Sequence, residues 1–174
     1  MADETFVILV NTDDHEIGIM EKMEAHRKAL LHRAISVFVF NRKGEWLLQR
    51  RAIDKYHSQG LWTNTCCSHP FPGESVKDAA KRRLLEEMGL VCDLDELFTF
   101  TYLEKLDEGL TEHEFDHVFF GTSEMFPDVN NEEVMEWKYI GFYDLLEDIT
   151  LHPLKYTIWF RIIFEKVNHL ITNR

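Results

Sequence analysis

The sequence predicts a single domain of the α+β or mixed α/β class. The chain has 174 residues, and single domains commonly run to roughly 100 to 200 residues. Its 45% hydrophobic and 13% aromatic content is typical of a globular protein with a core. Several strand-like runs are separated by one helical pattern and followed by another, which is the element order of this fold class. We therefore expect one domain over residues 1–174.

The first third of the chain is predicted to form strands joined by turns. Residues 5–10, TFVILV, predict a short strand, and residues 11–18, NTDDHEIG, predict a turn after it. Residues 34–40 and 45–50, AISVFVF and EWLLQR, are two apolar runs that flank the turn residues 41–44, NRKG. This arrangement indicates a β-hairpin.

The middle of the chain is predicted to contain a strand, a loop and a helix. Residues 61–67, LWTNTCC, predict a strand, and the Pro and Gly residues within 69–73 indicate a loop. From Ser75 to Met88 the apolar positions recur with helical spacing. Gly89 stands where a helix commonly ends, so we expect the helix to stop there.

The last third is predicted to contain three strands and a closing helix. Residues 96–103, ELFTFTYL, and 117–122, HVFFGT, suggest an antiparallel pair. Residues 136–142, EWKYIGF, predict a further strand. Residues 156–171, YTIWFRIIFEKVNHLI, have the spacing of an amphipathic helix.

The charge balance argues against a nucleic-acid partner. The formal net charge is −12, whereas proteins that hold phosphate backbones carry a surplus of Lys and Arg. An anionic small molecule would need a local basic cluster or a metal ion. No run approaches the roughly 18 apolar residues of a membrane span, and the N-terminal FVILV lacks the basic flank of a secretory signal. We therefore expect no membrane partner and a cytoplasmic location.

Two of the three cysteines, Cys66 and Cys67, are adjacent. Neighbouring α-carbons lie about 3.8 Å apart, below the usual disulfide range of about 4.4 to 6.8 Å. This spacing favours reduced thiols, which agrees with the cytosol. Because free cysteines tend to be buried, we expect Cys66 and Cys92 to act as small hydrophobic residues.

Two charged residues, Arg83 and Glu87, fall on the apolar face of the predicted helix when it is drawn at 100° per residue. They are four residues apart and can pair, as can Arg82 and Glu86. One interpretation is a set of surface ion pairs. The other is that Glu87 points inward to bind a metal ion that bridges to an anion. The apolar arc itself contains Val76, Ala79, Ala80, Leu84 and Met88.

Residues 68–90, SHPFPGESVKDAAKRRLLEEMGL, resemble the Nudix box, a loop and helix that hold diphosphates with a divalent cation. The resemblance implies a Nudix-like fold with central mixed sheets flanked by helices. The sequence departs from the box at Ser68, where the box opens with Gly, and at Arg83, where it has Glu. The second departure removes a carboxylate that hydrolytic members use around their metal, which argues against pyrophosphohydrolysis. The matching positions are Glu74, Arg82, Leu84, Glu86, Glu87, Gly89 and Leu90.

Beyond the box, the chain resembles the type I isopentenyl-diphosphate isomerase family over nearly its whole length. The matching segments are EKMEAH, LHRA, RRAIDK, WTNTCCSHP, FTFTYL, TEHE and IWFRII. The resemblance implies the reversible conversion of isopentenyl diphosphate into dimethylallyl diphosphate, by protonation and deprotonation, in isoprenoid biosynthesis. It therefore implies a small-molecule diphosphate as substrate.

The same resemblance implies two metal positions. Matching residue by residue gives a first site made of His26, His32, His69, Glu112 and Glu114. These ligand types suit Mn²⁺, Mg²⁺ or Zn²⁺, and five ligands leave one position of a six-coordinate ion open. Glu87 is implied to bind a second cation, Mg²⁺, together with the diphosphate. The histidines that receive no metal role are His15, His57, His113, His117, His152 and His169.

Taken without the resemblance, the acidic pair of the first site has a second interpretation. Glu112 and Glu114 share one face of a strand, as a chelating pair must. The alternate face includes Phe115 and Phe119, so the acidic face could instead be the solvent-exposed one. The two interpretations predict opposite burial for the carboxylates.

The resemblance also implies the proton-transfer and substrate-binding residues. Cys67 and Glu114 are implied as the acid/base pair, with Tyr102 assisting the transfer. An unperturbed thiol has a pKa of about 8.5, so a protonated Cys67 at neutral pH is compatible with proton exchange. Trp159 is implied to face a carbocation, although its place on an apolar helical stripe also favours core packing. The implied phosphate-binding residues are Lys22, Arg51, Lys55 and Arg83.

Two other functions remain open from sequence. A Nudix pyrophosphohydrolase would keep the box but would not need Cys67, His26 and His32 together. A non-catalytic ligand-sensing domain would be expected to lose proton-transfer groups such as Tyr102 and Glu114, which are present. Product analysis separates these functions, because they give isomerised diphosphate, released phosphate or unchanged ligand.

Overall fold

The computed structural model describes residues 5–55, 57–106 and 109–173, so both ends of the expected 1–174 domain lie outside the described residues. The helices of the described chain are α1 (Lys22–Arg27), α2 (Val76–Met88), α3 (Phe142–Leu151) and α4 (Ile158–Thr172), with a 3-10 turn at Pro153–Lys155. The strands are β1 (Phe6–Val10), β2 (Glu16–Glu21), β3 (His32–Phe40), β4 (Trp46–Arg51), β5 (Trp62–Thr63), β6 (Cys66–Ser68), β7 (Asp95–Lys105), β8 (Thr111–Thr122) and β9 (Val134–Ile140).

The strands of the described chain form one mixed sheet. The central strand β3 pairs with β1, β4 and β6 in antiparallel fashion and with β8 in parallel. Strand β2 pairs with β1, β5 and β9 pair with β4, and β7 pairs with β8, all antiparallel. The predicted fold class and the predicted β7–β8 pair are confirmed.

The sheet is covered by helices on both faces, because side chains of β3 alternate between two cores. Phe38 belongs to a core that also contains Leu145 of α3 and Phe160 of α4. Val37 belongs to a second core, which contains Leu84 of α2. A strand buried on both faces needs a continuous apolar run, and residues 34–40 supply it apart from one serine.

Helix α2 has the ends that the sequence predicts. Ser75 caps its first turn, because the hydroxyl oxygen accepts a hydrogen bond of 3.1 Å from the Asp78 backbone N–H. Gly89 ends the helix in the left-handed conformation with φ of 64°. A β-carbon at Gly89 would also collide with the Asp128 carbonyl, so both backbone and packing require glycine here.

The strand predicted over residues 61–67 is interrupted. Asn64 Nδ2 donates to the Val37 carbonyl at 3.1 Å, and Thr65 Oγ1 donates to the Leu47 carbonyl at 2.7 Å. These buried side chains bind to two different strands, so β5 pairs with β4 while β6 pairs with β3. The break turns β6 toward the centre of the sheet.

The sequence interpretation did not predict β2, α1 or α3. Residues 16–18, expected within a turn, belong to β2. Helix α1 spans only six residues and begins where the Glu21 carboxylate accepts hydrogen bonds from the Met23 and Glu24 N–H groups, at 2.9 and 2.7 Å. A helix this short gives too few apolar positions to establish a period.

The described helices include none that is both long enough and apolar enough to cross a membrane. Cys66, Cys67 and Cys92 are free cysteines. Cys66 is fully buried, as expected. The expectation of a buried Cys92 is only partly met. This residue packs against the second core, the one that contains Leu84 of α2, and remains partly exposed.

Candidate active site

A cavity of about 380 Å³ opens beside β3, β6 and β8 and collects residues from widely separated parts of the chain. The remaining predicted site residues, His26, His32 and Glu87, are buried next to residues that line it. The predicted residues in its lining are Lys22, Arg51, Lys55, Cys67, His69, Arg83, Tyr102, Glu112, Glu114 and Trp159.

The sheet register accounts for much of this convergence. His32 at the start of β3 pairs with Glu114 of β8, and Tyr102 of β7 pairs with Glu114 from the other side. Ser36, further along β3, pairs with Cys67 of β6. Both members of the predicted acid/base pair therefore lie on strands next to β3.

Four of the predicted ligands form a compact group, in which one candidate ligand atom from each residue lies within 4.8 Å of the others: His26, His32, His69 and Glu114. His26 Nδ1 donates to the Lys22 carbonyl at 2.7 Å, and His32 Nδ1 donates to the Leu30 carbonyl at 2.8 Å. A carbonyl only accepts, so both rings carry their proton on Nδ1. In the neutral form of such a ring, Nε2 carries the lone pair that can ligate a metal.

The group fits a divalent cation. His32 is fully buried, and its Nε2 has no hydrogen bond within the described residues, although Glu114 Oε1 lies 3.6 Å away. A buried polar atom without a hydrogen bond is costly, and a metal ion would satisfy it. Imidazole and carboxylate donors together suit first-row divalent metals and Zn²⁺.

The fifth predicted ligand, Glu112, lies in a second group with His26 and His57, again with candidate atoms within 4.8 Å. His57 Nε2 lies 3.0 Å from Glu112 Oε1. The sequence analysis gave His57 no metal role, and the structure places its ring beside one of the predicted ligands. The sequence signal was weak, because His57 lies in the 52–61 segment between strands, and only the fold places it beside β8.

The acidic face of β8 is buried, so the interpretation of Glu112 and Glu114 as a solvent-exposed face is wrong. Glu112 is 3% exposed and Glu114 is 7% exposed, and Asp116 on the same face is 1% exposed. The Tyr102 hydroxyl donates to Glu112 Oε2 and, at 2.7 Å, to Glu114 Oε2. Burial, together with the nearby carboxylates, raises the pKa of Tyr102 well above its usual range.

Histidines and Glu114 influence each other's protonation. Burial lowers the pKa of His69 to about 3, so its ring is neutral at physiological pH. Burial alone would raise the pKa of Glu114, but the neighbouring His32 and His69 rings hold it well below its usual range. His69 Nε2 lies 3.0 Å from Glu114 Oε1. The neutral His69 ring and the ionised Glu114 carboxylate are charge states that metal binding requires. Burial alone would lower the pKa of His32, but the facing Glu114 raises it above its usual value.

Cys67 and Cys66 have different environments because neighbouring residues on a strand point to opposite faces. Cys66 is buried in the core that contains α2, whereas Cys67 lines the cavity. Burial of its sulfur raises the pKa of Cys67 to about 12. The cavity therefore presents a protonated thiol at neutral pH.

The other end of the cavity carries basic residues and their acidic partners. Arg83 Nη2 lies 2.6 Å from Glu87 Oε1, and Gln49 Nε2 donates to Glu87 Oε2 at 2.7 Å. Arg83 is 6% exposed and Glu87 is 2% exposed, so the interpretation of this pair as a surface ion pair is wrong. The sequence interpretation missed Glu133, which contacts both Lys55 and, at 3.4 Å, Arg83.

Trp159 serves both the core and the cavity. It is 3% exposed and belongs to the core formed with α3 and α4, and it also lines the cavity. The Arg51 guanidinium lies 5.4 Å from its ring centroid, and the His57 ring stands edge-on to it at 5.6 Å. The two roles expected for Trp159 are therefore compatible in one side chain.

The chain is similar to known proteins over most of its length. Residues 30–160 match the NUDIX domain model. The chain is 49% identical over 163 residues to an isopentenyl-diphosphate Delta-isomerase from Pectobacterium atrosepticum, covering 94% of this chain and 91% of that protein. An isopentenyl-diphosphate Delta-isomerase from Burkholderia multivorans is 45% identical, with 98% of this chain and 97% of that protein covered.

The chain belongs to the isopentenyl-diphosphate Delta-isomerase family. Solved structures add support for the fold of this family member. A Deinococcus radiodurans protein aligns with a TM-score of 0.72 at 20% identity, covering 84% of this chain and 90% of that one. A MutT protein from Methanosarcina mazei aligns with a TM-score of 0.65 at 22% identity, covering 80% and 94%. The Nudix fold predicted from the box is confirmed.

Proposed function

We propose that this isomerase-family chain, as one domain over residues 1–174 in the cytoplasm, converts isopentenyl diphosphate into dimethylallyl diphosphate. The observation that carries the proposal is the set of side chains that line one cavity. The cavity contains a protonated thiol, a carboxylate that accepts a hydrogen bond from a tyrosine, an indole ring and a cluster of cationic side chains. These residues are Cys67, Glu114, Tyr102, Trp159, Arg51, Lys55 and Arg83. Moving a double bond by proton addition and removal needs an acid, a base and an environment that tolerates positive charge.

The diphosphate binds at the basic end of the cavity in this proposal. Lys22, Arg51, Lys55 and Arg83 line it and supply the local positive charge that a protein of net charge −12 needs for an anion. Guanidinium groups suit phosphate oxygens because they donate two hydrogen bonds in a fixed plane. Glu87 would hold a Mg²⁺ ion with the phosphates, since Mg²⁺ commonly takes one or two carboxylates plus phosphate oxygens.

The histidine and glutamate group holds the second cation, which we assign as Mn²⁺, Mg²⁺ or Zn²⁺. Its ligands would be His26, His32, His69, Glu112 and Glu114. When bound, the ion would fix the Glu114 carboxylate and lower its proton affinity. The hydrogen bonds from Nδ1 of His26 and of His32 to backbone carbonyls support this assignment, because they leave Nε2 as the candidate ligand atom of each ring.

Cys67 and Glu114 act as the proton-transfer pair. The raised pKa of Cys67 keeps a proton on its sulfur, while the lowered pKa of Glu114 keeps its carboxylate ionised. Tyr102 orients Glu114 through the 2.7 Å hydrogen bond and relays protons at the same oxygen. The face of Trp159 stabilises positive charge on the substrate, an interaction worth about 2 kcal/mol when desolvated.

Proton NMR of isopentenyl diphosphate in deuterated water tests the proposal. The full chain, loaded with Mg²⁺, is expected to form dimethylallyl diphosphate that carries deuterium. Intact substrate after incubation with folded, metal-loaded protein would contradict the proposal. Free phosphate in the same sample would indicate a hydrolase instead. Arg83 argues against that outcome, because it stands where the Nudix box has Glu and it pairs with Glu87.

A further inference from the structure

Glu133 places a carboxylate against the basic residues at one end of the cavity. Its side chain contacts Lys55 Nζ, and its Oε1 lies 3.4 Å from Arg83 Nη2. The side chain of Glu133 is 22% exposed, that of Lys55 17% and that of Arg83 7%, and all three residues line the cavity. A carboxylate of the protein therefore contacts two of the basic side chains to which the proposed function assigns the diphosphate.

The backbone around Glu133 fixes this carboxylate in place. The Glu133 carbonyl accepts a hydrogen bond of 3.0 Å from the Ala52 N–H, and the Glu133 N–H donates to the Asn130 carbonyl at 2.9 Å. The Asn130 N–H in turn donates to the Glu87 carbonyl at 3.0 Å. Glu133 is thus attached both to the segment after β4 and to the end of α2, the two parts of the chain that carry its ion-pair partners.

The basic side chains need a negative charge whether or not a ligand is bound. Burial, together with the charges of Arg51 and Arg83, lowers the pKa of Lys55, while Glu87 opposes this shift. Cations that are brought together away from water lose hydration and repel one another. Glu133 offsets part of this cost in the free protein, and phosphate oxygens would offset it in the complex.

The Arg83 guanidinium has few donors left for a phosphate. Its Nε and Nη2 donate to Glu87 Oε1 at 3.1 and 2.6 Å, and its Nη1 donates to Glu86 Oε2 at 3.0 Å. A guanidinium has five N–H groups in a fixed plane, so its donors cannot be redirected one at a time. A phosphate oxygen that approaches Nη2 therefore competes with the Glu133 carboxylate for the same nitrogen.

We propose that Glu133 is a displaceable carboxylate that competes with the diphosphate for Lys55 and Arg83 and so limits how tightly the cavity binds it. The inference rests on the proposed diphosphate site. Substrate and product carry the same diphosphate, so contacts to this group bind both equally and do not accelerate the proton transfers. An internal competitor weakens these contacts and thereby favours release of the product.

Binding of inorganic pyrophosphate to the full chain in the presence of Mg²⁺, measured by isothermal titration calorimetry, tests the proposal. Glu133→Gln keeps the size of the side chain and removes its charge. We expect the Kd for pyrophosphate to fall about tenfold, the lower end of what a hydrogen bond between charged groups contributes. The KM for isopentenyl diphosphate should fall in parallel, while kcat should not rise.

Glu132→Gln is the matched control, because it changes the net charge equally at a residue that lines the same cavity. Glu132 is exposed and forms no ion pair with the described residues. Its substitution should lower the Kd for pyrophosphate by about twofold or less, since exposed charges contribute little. A tenfold fall in both variants would overturn the proposal, because the general negative field of the cavity would then explain the effect.

A double-mutant cycle with Lys55→Met is the second readout. Glu133→Gln should increase pyrophosphate affinity less in the Lys55→Met background, where one of its two contacts is already absent. Weaker or unchanged binding in the Glu133→Gln single variant would overturn the proposal, because Glu133 would then hold the cations in place for the ligand. Tighter pyrophosphate binding in a chain that forms no dimethylallyl diphosphate would overturn the proposed function and leave this inference standing.

Discussion

At the scale of single residues, alternation along strands decides which side chains face the cavity. Cys66 and Cys67 are chemically identical neighbours, yet one is core and the other lines the cavity. The sequence predicted this division through the family resemblance and the period of two. It could not predict the raised pKa of Cys67, because that depends on burial by residues distant in sequence.

Replacement of Cys67 by Ala is expected to lower the turnover number by about 10²- to 10⁴-fold, the usual contribution of a proton-transfer group. Metal content, measured by atomic absorption, should stay close to that of the unsubstituted chain, since Cys67 belongs to neither ligand group. Cys66→Ala is the matched control and should retain turnover. Normal activity in Cys67→Ala would remove this residue from the mechanism.

Tyr102→Phe removes only the hydroxyl that donates to Glu112 and Glu114. Hydrogen bonds to charged groups are worth about 1.5 to 3 kcal/mol, so we expect kcat to fall about 10- to 100-fold. The KM for the diphosphate should change little, because the basic residues at the other end of the cavity are untouched. Phe100→Leu, a change to the ring stacked on Tyr102, is the packing control. A change confined to KM would contradict the assigned role.

At the scale of elements, a largely buried ion pair between Arg82 and Glu74 holds helix α2 to the loop before it. Arg82 Nε and Nη2 donate to Glu74 Oε1 and Oε2 at 2.7 and 2.9 Å, and Arg82 also stacks over Phe71. The sequence predicted this helix closely because its cap, its period and its terminal glycine agree. Strand β6 was predicted less well, because the break that separates it from β5 depends on side-chain hydrogen bonds to other strands.

Glu74→Gln is expected to lower the free energy of unfolding at pH 7 by about 1.5 to 3 kcal/mol, through loss of the charged bidentate pair. Burial alone would raise the pKa of Glu74, but Arg82 and the Phe71 N–H hold it below the ordinary value of 4.5. This contribution is therefore present above pH 4.5 and is lost as the pH falls through the folded-state pKa.

Urea denaturation at several pH values measures this effect. The stability difference between the unsubstituted chain and Glu74→Gln should shrink steadily below pH 4.5. Glu165→Gln on the exposed side of α4 is the matched control and should show no such convergence. A difference that stays constant down to pH 3 would mean that Glu74 contributes without its charge.

At the scale of the whole molecule, the fold gathers side chains that sequence reasoning could only treat separately. The described part of the chain places the predicted ligands within one region, although they come from α1, β3, β8 and the residue after β6. His57 was given no metal role and Glu133 was not predicted at all, because both lie between strands, where no period or spacing signals a site. Only the path of the sheet determines which such segments end beside the cavity.

Metal removal should destabilise the whole domain, because the ligands come together only in the folded state. A ligand at 100 times its dissociation constant stabilises the folded state by about 2.7 kcal/mol. We expect Mn²⁺ at that excess to raise the free energy of unfolding of chelator-treated protein by about this amount. His32→Ala should abolish the increase and His113→Ala should retain it; an equal increase in both variants would place the ion elsewhere.

The parallel pairing of β3 with β8 also constrains how this gene can change. The two strands pair over nine consecutive residues in one register, in which His32 lies opposite Glu114 and Ser36 lies opposite Val118. A codon inserted early in β8 would shift every following side chain to the other face of the strand. His113 and Phe115 would then take the places of the carboxylates. Length variation among homologues should therefore accumulate in the connections and spare this strand, a pattern that an alignment of gene sequences can test.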